Sequence, residues 1–298
     1  MDVSLASKLF PRRVAAQLPF PFFSFSQSNK MALILRGIYN GYKDYLVGKS
    51  DDRITHLPLL QSVWTVPLIT VSYLYFVLNL GPKLMANRKP VQIRSFLIAY
   101  NLVQVAANAV AFALGMKYLR DYKYSFVCQP LRAETSAQSL DDTRLGYVYF
   151  LLKILDLADT VFFVLRKKQS HVSFLHVYHH TIMVLSASFF MRYLIGGHTF
   201  ILGILNTLVH AIMYFYFFLT IYRPEVTRGA TWKRYITLVQ MVQFAYLVFH
   251  FFRPIVLDVE CGYPRTVMWF VGLQNVFMLI MFADFYRRTY LRQPKKLV

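Results

Sequence analysis

The sequence predicts an all-α membrane protein of about seven transmembrane helices. Hydrophobic residues make up 56% of the 298-residue chain and charged residues only 16%, below the roughly 25% of a soluble domain. The apolar residues gather into long runs close to the length of about 20 residues that crosses the hydrocarbon. Continuous runs of that length favour membrane helices over buried strands. Gly and Pro punctuate the gaps, at Gly81-Pro82, Gly196-Gly197, Pro224, Pro254 and Pro264.

Residues 1–30 have little apolar periodicity, and they set Lys8, Arg12, Arg13 and Lys30 against one acid, Asp2. They resemble a weak transit peptide but are expected to be a disordered extension, with Met31 as an alternative start. Residues 31–286 form the expected seven-helix domain. Its spans fall at about 64–81, 95–118, 145–165, 174–195, 199–221, 233–252 and 266–286. Residues 287–298 are a basic tail.

The gaps alternate in charge. The first has Lys83, Arg88, Lys89 and Arg94, and the third has Arg166, Lys167 and Lys168. The fifth has Arg223, Arg228, Lys233 and Arg234 against Glu225, and the tail has Arg287, Arg288, Arg292, Lys295 and Lys296. The even gaps carry Asp121, Glu134, Asp141, Asp142, Asp258 and Glu260. Lys and Arg mark the cytoplasmic side, so the C-terminus is expected there. Arg36, Lys43, Lys49 and Arg53 near the N-terminus oppose that topology. The final Lys295-Lys296-Leu297-Val298 resembles the dilysine retrieval signal of endoplasmic reticulum membrane proteins; an ordinary basic tail is the plainer reading. Cys128 and Cys261 both fall in gaps assigned to the lumen, where they could pair or remain two thiols. The net charge of +19 suits anionic lipid or an anionic substrate. Nucleic acid is not expected as a partner, because the cations sit in short clusters between apolar runs.

The strongest chemical signal is His176-Val177-Tyr178-His179-His180. Positions i, i+3 and i+4 share a helix face, so three imidazoles converge at the start of the fourth span. The third span places Lys153, Asp156, Asp159 and Thr160 on one face. An ionisable group at a helix centre costs roughly 2.5–3.5 kcal/mol on insertion scales, so each needs a partner. Lys153 and Asp156 can pair, leaving Asp159 to orient a histidine of the next helix. Asn206, His210 and Tyr214 form a stripe on the fifth span; interhelical hydrogen bonding is the bland account. Thr237, Gln240 and Gln243 mark one face of the sixth.

These residues resemble the very-long-chain fatty acid elongases, membrane condensing enzymes that make 3-ketoacyl-CoA. The family patterns K-x-x-E-x-x-D-T, H-x-x-H-H, N-x-x-x-H-x-x-M-Y-x-Y and T-x-x-Q-x-x-Q occur here in the same order, with Gly81-Pro82-Lys83-Leu84-Met85 after the first span. The resemblance covers roughly residues 31–298. Asp156 replaces the family's Glu, and Phe217 stands where a second Tyr is often found.

The resemblance implies condensation of an acyl-CoA with malonyl-CoA, giving 3-oxoacyl-CoA, CoA and CO₂, inside helices that surround a hydrophobic acyl tunnel. No bound cofactor or metal is expected. Histidine can act as a covalent nucleophile, and the expected one is His179, flanked by His176 and His180 with Asp159 fixing its tautomer. His210 would face the thioester. Asn206, Tyr214, Gln240 and Gln243 could stabilise an oxyanion, and Arg166, Lys167, Lys168, Lys233 and Arg234 suit the phosphates of CoA. Other enzymes of fatty acid elongation, or further copies in an oligomer, are conceivable partners. The runner-up is a histidine-box di-iron desaturase or hydroxylase, which needs many nitrogen ligands. His56, His198, His210 and His250 are the only histidines outside 171–180. A lipid carrier is the non-enzymatic alternative.

Overall fold

The structure, a computed structural model, describes residues 36, 39, 40, 48, 50–131, 136–229 and 231–291. The expectations for residues 1–30 and for Lys295 and Lys296 lie outside the described residues, as do Lys43, Lys49, Glu134 and Arg292. The chain divides into two compact units, Met1–Gly48 and Lys49–Val298. In the first, Arg36, Tyr39 and Asn40 are helical.

Among the described residues the second unit holds seven long helices and no strand. They are α1 Thr65–Met85, α2 Arg94–Asp121, α3 Ala137–Leu165, α4 Phe174–Tyr193, α5 Phe200–Tyr222, α6 Thr231–Val256 and α7 Arg265–Tyr286. By length and composition, α1, α2, α5, α6 and α7 can cross a membrane. α3 and α4 fall short of that apolar standard. The reason is chemical: α3 carries Asp141, Asp142, Arg144, Lys153, Asp156 and Asp159, and α4 carries its three histidines.

Local chemistry sets the helix ends. Ser136 caps α3 by accepting from Ser139 N at 3.1 Å, so that helix starts eight residues before the predicted 145. Its first two turns are polar, which interrupts hydropathy but not helix. Ser173 caps α4 by accepting from His176 N at 3.3 Å, which sets the phase of the histidines that follow. In α1, residues Phe76–Leu80 widen into a π-helical turn before Gly81-Pro82. Pro82 has no N–H for the carbonyl of Leu78 and would press on it, so the backbone opens ahead of it.

α3 packs against α1, α2, α4 and α5; α2 lies along α5, and α6 along α7. One apolar cluster joins α1, α3 and α4 through Val66, Val77, Phe150, Val164 and Val184. A second joins α2, α5, α6 and α7 through Tyr118, Ile204, Leu247, Phe251 and Met268. Leu68, Val71, Val103, Val242, Phe270 and Ile280 point outward, as side chains do where the solvent is lipid.

The two ends of the bundle differ in charge. At one end, Val91 N donates to Leu165 O at 3.0 Å, Arg94 to Ile221 O at 3.1 Å, and Arg234 to the Tyr286 hydroxyl at 2.6 Å. The basic gaps therefore share that end. At the other, Cys128 and Cys261 form a disulfide, with Cα atoms 5.5 Å apart, inside the usual range. Leu131 N donates to Gly262 O at 3.2 Å beside it. Buried Arg192 closes this end by donating to Leu60 O at 2.6 Å and Ser62 O at 3.2 Å.

Candidate active site

A polar network is buried where α2, α3 and α5 meet. Lys153 is 1% exposed and Asp156 2%. Lys153 Nζ donates to Asp156 Oδ2 at 2.7 Å and Asn206 Oδ1 at 2.8 Å, and lies 3.3 Å from His210 Nδ1. Two of the three ammonium hydrogens thus go to Asp156 and Asn206, and the His210 ring stands beside the third. Asp156 Oδ1 accepts from Gln104 Nε2 at 2.9 Å. The Tyr214 hydroxyl lies 2.9 Å from that same oxygen and 2.6 Å from Asp159 Oδ2, so one phenolic hydrogen serves two carboxyls. A buried ion pair is tolerable only when its remaining polar atoms are also satisfied, and here they are.

The histidines of α4 divide into two kinds. His176 Nε2 lies 2.9 Å from Thr160 Oγ1, which is 2.8 Å from the Tyr73 hydroxyl. A chain from α1 through α3 thus holds its ring, and the His180 ring sits against it at 4.2 Å between centroids. His179 has no such tie. Its Nδ1 is buried without a hydrogen-bond partner, and the residue lines a cavity, to which Nε2 is the nitrogen left open.

That cavity lies between α3, α4, α5, α6 and α7. Asn206, Gln243, Gln274, Asn275 and Tyr149 supply its polar lining; Ile182, Met183, Phe244 and Leu247 supply apolar wall. Asn206 Oδ1 is held by Lys153 and by the Tyr149 hydroxyl at 3.1 Å. The amide is therefore oriented with Nδ2 unspent among the described residues. A second cavity shares Tyr149, Ala187, Phe190 and Leu202 with the first and runs on to Asp142 and Gly196.

Two histidines outside α4 are occupied elsewhere. His198 and His250 stack at 3.9 Å, and each Nε2 lies 3.1 Å from the other's carbonyl oxygen. They clasp α5 to α6 near the disulfide. No group of three or more His, Cys, Asp or Glu among the described residues is arranged to hold a metal.

A family model described as "ELO: GNS1/SUR4 family" matches residues 58–297. A very long chain fatty acid elongase of Aedes aegypti is 38% identical over 261 residues, 87% of this chain and 72% of that protein. Very long chain fatty acid elongase 7 of Drosophila melanogaster is 36% identical over 258 residues, covering 87% and 78%. Very long chain fatty acid elongase 4 of Homo sapiens is 36% identical over 247 residues, covering 83% and 77%. The chain belongs to the very long chain fatty acid elongase family.

Several residues of this elongase stand apart from their expected roles. Asp159 meets Tyr214 and not a histidine of α4, because the turn of α3 that faces His176 presents Thr160. The carboxylate beside a histidine is Asp156, with Oδ2 3.3 Å from His210 Nδ1. The Tyr214 hydroxyl, expected to face an oxyanion, meets the two carboxyls of α3. Lys153 and Asp156 belong to the buried network and do not line either cavity. Gln240 turns to Met213 Sδ at 3.8 Å, while Gln243 reaches the cavity.

At the basic end of the elongase, Lys167 donates to Ala86 O at 3.0 Å and Arg88 O at 3.1 Å, and Arg234 is held by Tyr286. Arg166, Lys168 and Lys233 remain as a like-charged group. Burial, with Arg166 and Lys233 beside it, holds the Lys168 ammonium below its ordinary range. Burial, with Lys168, Lys233 and Arg166 nearby, lowers His171 likewise. Tyr73, Gln104, Tyr149, Gln274 and Asn275 are parts of the site that sequence reasoning missed. A signal existed for some of them: Gln104, Gln274 and Asn275 are uncharged amides inside apolar runs.

Proposed function

We propose that the elongase condenses a long-chain acyl-CoA with malonyl-CoA through an acyl-imidazole on His179. One observation carries the reading: the imidazole of His179, freed of hydrogen-bond ties, faces the same cavity as the oriented amide of Asn206. His179 Nε2 attacks the thioester carbonyl. The C–S bond breaks, CoA leaves with the imidazole proton as the thiol, and the acyl group stays on nitrogen. Malonyl-CoA then loses CO₂. Its enolate forms the new C–C bond at the acyl carbonyl, the C–N bond breaks, and His179 takes up one proton from water.

The surrounding groups suit these steps. Asn206 Nδ2 and Gln243 can donate to the tetrahedral oxyanion; removing one such donor typically costs about 3–4 kcal/mol. Lys153 and Asp156 hold the ring of His210, one helical turn from Asn206. The adjoining cavities form the acyl path. The phosphates of CoA lie at Arg166, Lys168 and Lys233, on the cytoplasmic face of an endoplasmic reticulum membrane crossed by all seven helices. The di-iron alternative is weakened by the use of His198 and His250 as a clasp.

Incubating the protein with acyl-CoA alone and mapping the adduct by mass spectrometry tests the reading. The acyl mass should sit on His179, and His179→Ala should lose the adduct and malonyl-dependent extension while remaining folded. Full activity in that variant would overturn the assignment.

A further inference from the structure

We infer that Gln274 of α7 is the donor that holds the carboxylate of malonyl-CoA while the acyl group waits on His179. The inference rests on the reading that condensation passes through His179. Among the described residues lining the cavity beside His179, two carry a buried side-chain atom with no hydrogen-bond partner: His179 at Nδ1 and Gln274 at Nε2. The other end of the Gln274 amide is fixed, because Oε1 accepts from the Tyr178 hydroxyl at 2.9 Å. Tyr178 precedes His179 in sequence, so this bond sets Gln274 at the depth of the nucleophile. The neighbouring amide differs. Asn275 also lines the cavity, but its Nδ2 donates to Val271 O at 2.8 Å within α7.

A buried N–H without a partner is costly, and the methylenes of an acyl tail cannot supply one. The group that belongs at Gln274 Nε2 therefore carries an oxygen. Three such groups meet in the cavity during condensation: the acyl carbonyl on His179, the thioester carbonyl of malonyl-CoA, and its carboxylate. Asn206 and Gln243 serve the first in the reading above. Of the other two, the ionised carboxylate is the stronger acceptor and the costlier to leave bare.

A neutral donor also suits the chemistry. Among the described residues that line this cavity there is no lysine or arginine. Loss of CO₂ breaks the bond between the malonyl Cα and the carboxylate carbon, and the electron pair passes into the thioester enolate. A cation on the carboxylate would stabilise charge where it starts and oppose that shift, because only interactions stronger in the transition state speed a reaction. An amide orients the carboxylate while opposing the shift less.

The test compares two half-reactions in the full-length membrane protein and two variants. Gln274→Met keeps the length of the side chain without its amide, and Tyr178→Phe releases the amide. Formation of the His179 adduct from stearoyl-CoA alone reports the first half-reaction. The kcat/KM for malonyl-CoA at saturating stearoyl-CoA reports the second. In Gln274→Met the second should fall about ten-fold further than the first, the size of one lost hydrogen bond to a charged group. Tyr178→Phe should show the same split, reduced. Inhibition by acetyl-CoA, which has the thioester without the carboxylate, should weaken less than the malonyl-CoA step. Equal falls in both half-reactions in both variants would overturn the inference, as would malonyl-CoA kinetics unmoved in Gln274→Met. Equal weakening toward acetyl-CoA and malonyl-CoA would put the amide at the thioester carbonyl and overturn the carboxylate assignment. If the unaltered protein forms no adduct on His179, the acyl-imidazole reading fails, and this inference with it.

Discussion

Lys153 shows how one buried cation can organise a site without touching substrate. It neutralises Asp156, fixes the Asn206 amide and lies 3.3 Å from His210 Nδ1. Removing it would leave a buried carboxylate unpaired, which typically costs 3–5 kcal/mol. Lys153→Met is expected to lower stability by about that amount and to abolish condensation. Detergent-solubilised thermal or denaturant unfolding would measure the first effect; a variant as stable as the parent would show that the pair is not needed for folding. The family's longer Glu is not required here, because Asp156 already reaches Lys153 at 2.7 Å on the same helix.

At the scale of elements, α3 and α4 trade apolarity for chemistry. They sit against other helices, so their charges and imidazoles face protein, where partners are available. The short connection between them carries Arg166 and Lys168, two of the cations proposed for CoA, and Lys233 stands at the start of α6. Burial and neighbouring positive charge lower Lys168 and His171. A bound phosphate would reverse that shift, so binding takes up protons and should tighten as pH falls through the His171 titration. Apparent affinity for CoA measured from mildly alkaline to mildly acidic pH should rise. Lys168→Ala should weaken it several-fold and lessen its salt dependence, because screening acts on exposed charges. Affinity indifferent to both pH and salt would place the phosphates elsewhere.

Over the whole bundle, the disulfide end and the basic end do different work. The disulfide ties the α2–α3 loop to the α6–α7 loop across 133 residues of sequence. Closing so long a loop stabilises by about 4–5 kcal/mol in the chain-entropy treatment. Cys128→Ser should lower the unfolding midpoint measurably while sparing catalysis at low temperature, because the histidines lie on other elements. A midpoint unmoved by the substitution or by a reducing agent would argue that the His198–His250 clasp and helix packing already hold that end.

Hydropathy alone located the five helices that are long and apolar enough to cross a membrane, since a run of apolar side chains has one stable use in lipid. Spacing alone put His176, His179 and His180 on one face and allowed Lys153 to reach Asp156, because both follow from the helical repeat. Neither could give the rotation of one helix against another. That rotation turns Asp159 to Tyr214 instead of to a histidine. It ties His176 to Thr160 while leaving His179 to the cavity, and it brings in Tyr73, Gln104 and Tyr149 from distant sequence. A helix face is a property of one segment, whereas a hydrogen-bond partner is a property of two, and only packing chooses the second.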